Sequence, residues 1–251
     1  MSSVTEATES LEVPEVPEDY LSRALTADSS HGRAHFARAG LDLAPDTILP
    51  DTHVLLLRQL YLAQLEERSL GAAAETALQM TQVGPLSDIA HHDLARVLFA
   101  LEREDEAVRH QRLAYRRSPA ARRSFHLWSL ATYQHYSGKA EDALASLRRA
   151  ERWATRDRPV ILAHAAYVEL DAGGAPEGLS EIVSDLEASD VQEGYGQYLL
   201  GMIATLVGDT GRAETFLRAF LRRNAGIDAI KALSLAEELR RARSALARLS
   251  D

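Results

Sequence analysis

The chain has 251 residues, 46% of them hydrophobic and 26% charged, with a net charge of -9 and no cysteine. That length can bury a substantial core, while the missing thiols exclude disulfide frameworks and thiolate metal sites. No apolar run reaches membrane-spanning length, and the opening MSSVTEATESLEVPEVPEDY has neither a basic head nor an apolar stretch, so a cytoplasmic protein with no membrane insertion is expected.

Charge is unevenly spread. Residues 1–28 hold seven acids against Arg23 alone, residues 103–158 hold thirteen basic residues against seven acids, and residues 159–215 hold ten acids against Arg212 alone. Such asymmetry bears on steering and association rather than on fold. Among the 28 basic residues only Lys139 and Lys231 are lysine, and that arginine bias beside so much alanine and leucine points to a bacterial, GC-rich genome.

In chain order, residues 1–18 combine Glu, Ser and Thr with VPEVPE, a composition expected of an acidic, disordered or polyproline-like tail. Beyond it, apolar residues recur at three- and four-residue spacing, with breaks of Gly, Pro, Asp or Ser every dozen or so residues. The pattern predicts an all-α chain of helical hairpins over about 19–45, 54–87, 88–121, 124–158, 159–193 and 194–226, followed by a capping helix over 227–251 with a basic outer face. The hairpins repeat. Ala73, Ala107, Ala143, Gly178 and Ala213 lie 34, 36, 35 and 35 residues apart, a period that marks a solenoid. Twelve residues before the marker stand Ala95, Ala131, Ala166 and Gly201, with Tyr61 at the first such place. Two helices cross closely only where one offers a small side chain, so these positions are read as packing contacts. Hairpin 159–193 is degenerate, with Gly178 at the marker and Pro176 where its second helix should begin.

The segments LARVLFALEREDEAVRHQRLAYRRSP, LWSLATYQHYSGKAEDALASLRRA and LLGMIATLVGDTGRAETFL resemble the tetratricopeptide repeat family in the register of their Leu, Ala, Gly and Pro residues. The resemblance implies a right-handed superhelical solenoid of about five such repeats, whose first helices line a concave surface. It places Arg58, His92, Arg96, Phe99, Phe125, Trp128, Thr132, His135, Tyr136, Tyr167, Tyr195, Tyr198 and Met202 on that surface. Aromatic and Arg side chains are frequent interface anchors, so the expectation is a non-catalytic adaptor or scaffold holding a protein or peptide partner. An alternative use for the same aromatics is packing against neighbouring helices or a C-terminal helix folded back. The carboxylate clamp of the family's chaperone-binding subclass is missing, because its places hold Arg58, Leu62, Asp93, Phe125 and Ser129. An apolar or aromatic segment is therefore expected, rather than an acidic tail.

No chemistry-bearing motif competes with that reading. His31 and His35 are four apart, but Gly32 is expected in a turn, which would leave His31 outside the helix, and the adjacent His91 and His92 are expected to point to different sides of their helix. EGYGQ follows no strand and lacks the third glycine of a dinucleotide fingerprint. With no nucleophile elbow, HExxH or phosphate-binding loop, no cofactor, metal or enzymatic activity is expected. The middle of the chain offers an electrostatic surface at Arg116, Arg117, Arg122, Arg123, Arg148, Arg149 and Arg152, open to self-association through the acidic segments or to phosphates. Nucleic acid is the less favoured partner because the whole protein is acidic.

Overall fold

A computed structural model describes residues 16–43 and 48–249, and within them every regular element is helical. Six hairpins follow one another: α1 (Pro17–Thr26) with α2 (Ser30–Leu43), α3 (Pro50–Glu66) with α4 (Leu70–Val83), α5 (Ser87–Ala100) with α6 (Glu104–Arg117), α7 (Arg123–Tyr136) with α8 (Ala140–Glu151), α9 (Arg158–Asp171) with α10 (Leu179–Ala188), and α11 (Gln197–Val207) with α12 (Thr210–Arg223). Each packs on its sequence neighbours, giving an all-helical solenoid.

The small residues act as contact points. Ala73, Ala107, Ala143 and Ala213 each sit fourth in their helix and are wholly buried, as are Ala95 and Ala131. At Gly201 the helices approach so closely that a Cβ would stand 2.6 Å from Leu217 Cγ. Tyr61 fills its small-residue place by burying its ring and donating its hydroxyl to the Asp93 carbonyl at 2.9 Å.

The turns repeat as well as the helices. Arg68, Glu102, Gly138, Gly173 and Gly208 all adopt positive φ, at the same 34- to 36-residue spacing. A left-handed residue closes the turn of each hairpin from the second to the sixth, and three of the five are glycine, the residue that tolerates it best. Polar bonds join successive first helices, or the residue just before them, near the same period: Arg58 to Asp93 (3.1 Å), Arg122 to Asp88 (2.7 Å), Ser124 to Asp157 (2.7 Å), Trp128 to His164 (2.9 Å) and His135 to Asp171 (2.9 Å).

Four sequence expectations need correction. Gly32 is helical, within α2, so His31 and His35 do share a helix. Helix α1 begins at Pro17, inside the stretch read as tail, because proline suits the first helical turn and Asp19 accepts a hydrogen bond from the Val16 amide; residues 1–15 lie outside the described residues. Gly178 is not a packing position within a second helix. It precedes α10 with φ of 67°, so that helix starts late and buries only Leu186 fully. The C-terminal cap is two helices, α13 (Ala229–Ser234) and α14 (Ala236–Leu249), broken at Leu235. Helix α13 packs on α3, whereas α14 packs on α11 and α12. Together they bridge hairpins 2 and 6 across the side lined by the first helices.

Candidate functional site

The first helices place most of the expected aromatic residues together, and the α13–α14 strap lies over them. Trp128 meets Tyr195 edge to face at 5.1 Å and donates its indole N–H to His164 Nδ1. Tyr195, Tyr198 and Tyr167 form a chain of ring contacts that His135 joins. Into this cluster α14 inserts Glu238, 3% exposed, whose Oε1 accepts from the Tyr136 hydroxyl at 3.1 Å and from the Tyr195 hydroxyl at 3.4 Å. One turn on, Arg241 donates to the Tyr167 hydroxyl and to Asp171, both at 3.2 Å, and to Glu237 at 2.8 Å.

The electrostatics follow from this burial. Desolvation raises the Glu238 carboxyl from 4.5 to about 7, outweighing the hydrogen bonds from its own backbone amide and from the two tyrosines that favour its ionised form. Desolvation also pushes the Tyr136, Tyr195 and Tyr198 hydroxyls well above their ordinary value. It holds His92 down at about 4 and His164 well below its usual value, so both imidazoles are neutral near pH 7.

Several residues expected on an open groove wall are therefore not available to a partner. Tyr167, Tyr198 and Met202 are buried, and His135 is tied to Asp171, because α14 and the curvature of the first helices bring them into the core. Arg58 is ion-paired with Asp93, and Phe99 stacks on Tyr133 at 4.8 Å. Arg96 donates to Asp93, to the Tyr61 hydroxyl and to Ser234 of α13. Thr132 donates its hydroxyl to the Trp128 carbonyl and lines the space beside the strap.

Open space remains on either side of the α13–α14 junction. One cavity, of about 320 Å³, lies between Arg96, Phe99, Tyr136 and the Leu233–Arg240 segment. The other, of about 280 Å³, is walled by His92, Phe125, Trp128, Thr132, Tyr195 and Leu235, and Glu238 lines both. Phe125 is 46% exposed, and His92 packs on it edge to face at 4.9 Å.

The arginine-rich middle divides in two. Arg122 forms a fork on buried Asp88, Arg117 bonds to Ser87 and His91, Arg123 covers Trp153 at 4.5 Å, and Arg149 covers Tyr115 at 4.7 Å. Arg117 thus ties α6 to α5 within one hairpin and Arg122 ties the start of the next hairpin to α5, so both are engaged within the fold. Arg116, Arg148 and Arg152, with Arg112, are exposed and have no intramolecular partner among the described residues.

His91 and His110 face each other through their Nδ1 atoms at 3.0 Å, while His92 bonds to Gln111, so the adjacent histidines diverge. Among the described residues no cluster of three or more His, Cys, Asp or Glu forms a metal site, and no helix is long and apolar enough to cross a membrane.

Glu238 was missed by sequence reasoning, which gave the C-terminal segment a basic outer face. The signal was present: Leu235, Leu239, Ala242 and Leu246 form an apolar stripe at helical spacing, and Glu238 falls within it.

This architecture defines an all-helical repeat protein. Among solved structures, the chain is similar to the apo form of RapI, with a TM-score of 0.58 and 13% identity over 85% of each chain. At that identity the likeness establishes the fold alone. No family model matches the sequence, and no curated protein matches it.

Proposed function

We propose that this chain is a divergent tetratricopeptide-type scaffold, non-catalytic, which holds a segment of a partner protein in the cavity between Phe125, Trp128 and the α13–α14 strap. The observation that carries this reading is the exposed Phe125 ring at the mouth of an aromatic cavity, in a chain whose other concave aromatics are drawn into packing. A half-exposed large ring beside open space is the kind of group that anchors an interface.

The test is affinity capture of the full chain from its native cell with parent and Phe125→Ala proteins. Phe125 is the suitable probe because its removal orphans no buried polar group, whereas Trp128→Ala would strip His164 of its donor. Loss of an anchoring ring costs roughly 2 kcal/mol of binding, about thirtyfold in affinity. A partner retained equally by both proteins would defeat the reading.

A second reading rests on exposed Arg112, Arg116, Arg148 and Arg152, unpaired among the described residues. It takes the α6 and α8 ends as a phosphate-contacting surface. Retention on RNA or DNA that falls steeply with salt and is lost in Arg148→Ala, Arg152→Ala protein would favour it.

A further inference from the structure

Glu238 raises a question that the scaffold reading alone leaves unanswered. It is a carboxylate 3% exposed at the boundary of two cavities, and among the described residues no basic side chain lies within ion-pair distance of it. Its partners are its own backbone amide and two tyrosine hydroxyls, the latter at 3.1 and 3.4 Å. Burying a carboxylate without a counter-charge is costly, and an apolar residue in the same stripe would have packed without that cost. The nearby cations are engaged elsewhere. Arg96 donates to Asp93 at 2.7 Å and to the Tyr61 hydroxyl, and Arg241 donates to Glu237, Asp171 and the Tyr167 hydroxyl.

Arg96 also lines the cavity, with its charge met by Asp93 at 2.7 Å; the remaining walls around this carboxylate suit a cation. Trp128 and Tyr195 meet edge to face beside it, and Phe125 stands half-exposed at the rim. Aromatic faces attract ammonium and guanidinium groups, most strongly when these are desolvated, and an alkyl stem packs on the same rings. At about 280 Å³ the cavity is slightly smaller than the pockets of about 300–1,000 Å³ that take drug-sized ligands, which is the scale of one long side chain. We propose that this cavity binds a basic side chain of a partner peptide, with Glu238 as counter-ion and Phe125, Trp128 and Tyr195 as the aromatic enclosure. The proposal rests on the scaffold reading and names what its cavity takes; it also revises the expectation of an apolar or aromatic segment.

The pH behaviour supports the geometry. The charged and titratable groups around Glu238 and its two cavities are His92 and Arg96 from α5, Glu102 from the turn after it, Tyr133 and Tyr136 from α7, Tyr167 from α9, Tyr195 from the Gln192–Gly196 turn, Tyr198 from α11, and Glu237, Arg240 and Arg241 from α14. The tyrosines are raised above their ordinary value, the arginines stay charged, His92 is neutral with its titration near 4, and Glu237 is held below 4.5. Between pH 6 and 8, therefore, Glu238 is the facing group that changes charge, and a cation binds more tightly as it ionises.

The experiment uses the full chain labelled with ¹⁵N and follows the indole N–H of Trp128, with that of Trp153 on the outer surface as internal control. The probe is acetyl-Leu-Arg-Leu-amide, compared with the same peptide carrying citrulline, which keeps the shape and lacks the charge. Expected are a saturable shift of Trp128 alone at pH 8, binding at least about tenfold weaker for citrulline, and about tenfold weaker for the arginine peptide at pH 6. Glu238→Gln, with an unchanged Trp153 resonance and an intact thermal melt, should lose about tenfold for the arginine peptide and not for citrulline. Equal affinity for the two peptides, no shift of Trp128, or full affinity in Glu238→Gln overturns the cation site. If partner capture still depends on Phe125 in that case, the scaffold reading stands without it; arginine preference with no Phe125-dependent partner upholds the cation site and removes the scaffold reading.

Discussion

Replacing Glu238 with glutamine removes a charge that the fold holds at a cost, and the size of that cost can be worked out. The carboxyl moves from 4.5 to about 7 on burial, and each tenfold change in proton affinity is worth about 1.4 kcal/mol. Ionised Glu238 therefore costs the folded state roughly 3 kcal/mol relative to the protonated acid. Because the folded-state value is the higher one, this stability is fully present only below about pH 4.5, is lost as pH rises toward 7, and stays lost above that. Glutamine keeps the acceptor for the Tyr136 hydroxyl and carries no charge at any pH. The assay is urea denaturation of both proteins, followed by helical circular dichroism at pH 5 and pH 8. Other titrating groups are common to both and cancel in the difference. The stability of Glu238→Gln relative to the parent should improve by about 2 kcal/mol between pH 5 and pH 8, which is a midpoint change on the order of 1 M urea. A difference that stays constant across that range would refute the claim that Glu238 is buried without a counter-charge.

Three further outcomes follow from the packing. Glu102 holds φ of 59° at a turn where three other hairpins use glycine, so Glu102→Gly should stabilise by about 1 kcal/mol and raise Tm by about 2–4 °C in a thermal melt. Gly201→Val would drive a side chain into Leu217, whose Cγ stands 2.6 Å from the added Cβ, and should cost on the order of 2 kcal/mol or more in urea. Asp88 is 3% exposed and takes bonds from Arg122 and from His126 at 3.1 Å. These bonds hold its carboxyl below 3.8 against the desolvation that would raise it. Asp88→Asn should therefore cost about 2–4 kcal/mol at pH 7. The difference from the parent should narrow as pH falls below 3.8 through the depressed value, as read by urea midpoints across that range.

The repeat was legible in the sequence because it is written in local terms. A small residue at fixed spacing, an apolar stripe and a turn signal are properties of one hairpin, and their return every 34 to 36 residues needs no knowledge of the whole. Ala95, Ala131 and Gly201 could thus be read as contacts, and they are buried where helices cross. The weak hairpin was also legible from its glycines and Pro176, although Gly178 belongs to the turn and not to the packed helix. The state of the concave surface was not legible. Tyr136 meets Glu238 across 102 residues of sequence, and Tyr167 meets Arg241 across 74. Which aromatics stay open to a partner and which are covered depends on where α13 and α14 return, and on how tightly the first helices curve. Periodicity fixes which face of a helix is apolar, but only the accumulated rotation of six hairpins brings that face against a segment far along the chain. Residues 129 to 136 carry the same local pattern with or without a strap above them, and only the tertiary structure decided that Tyr198 would be core and Phe125 surface.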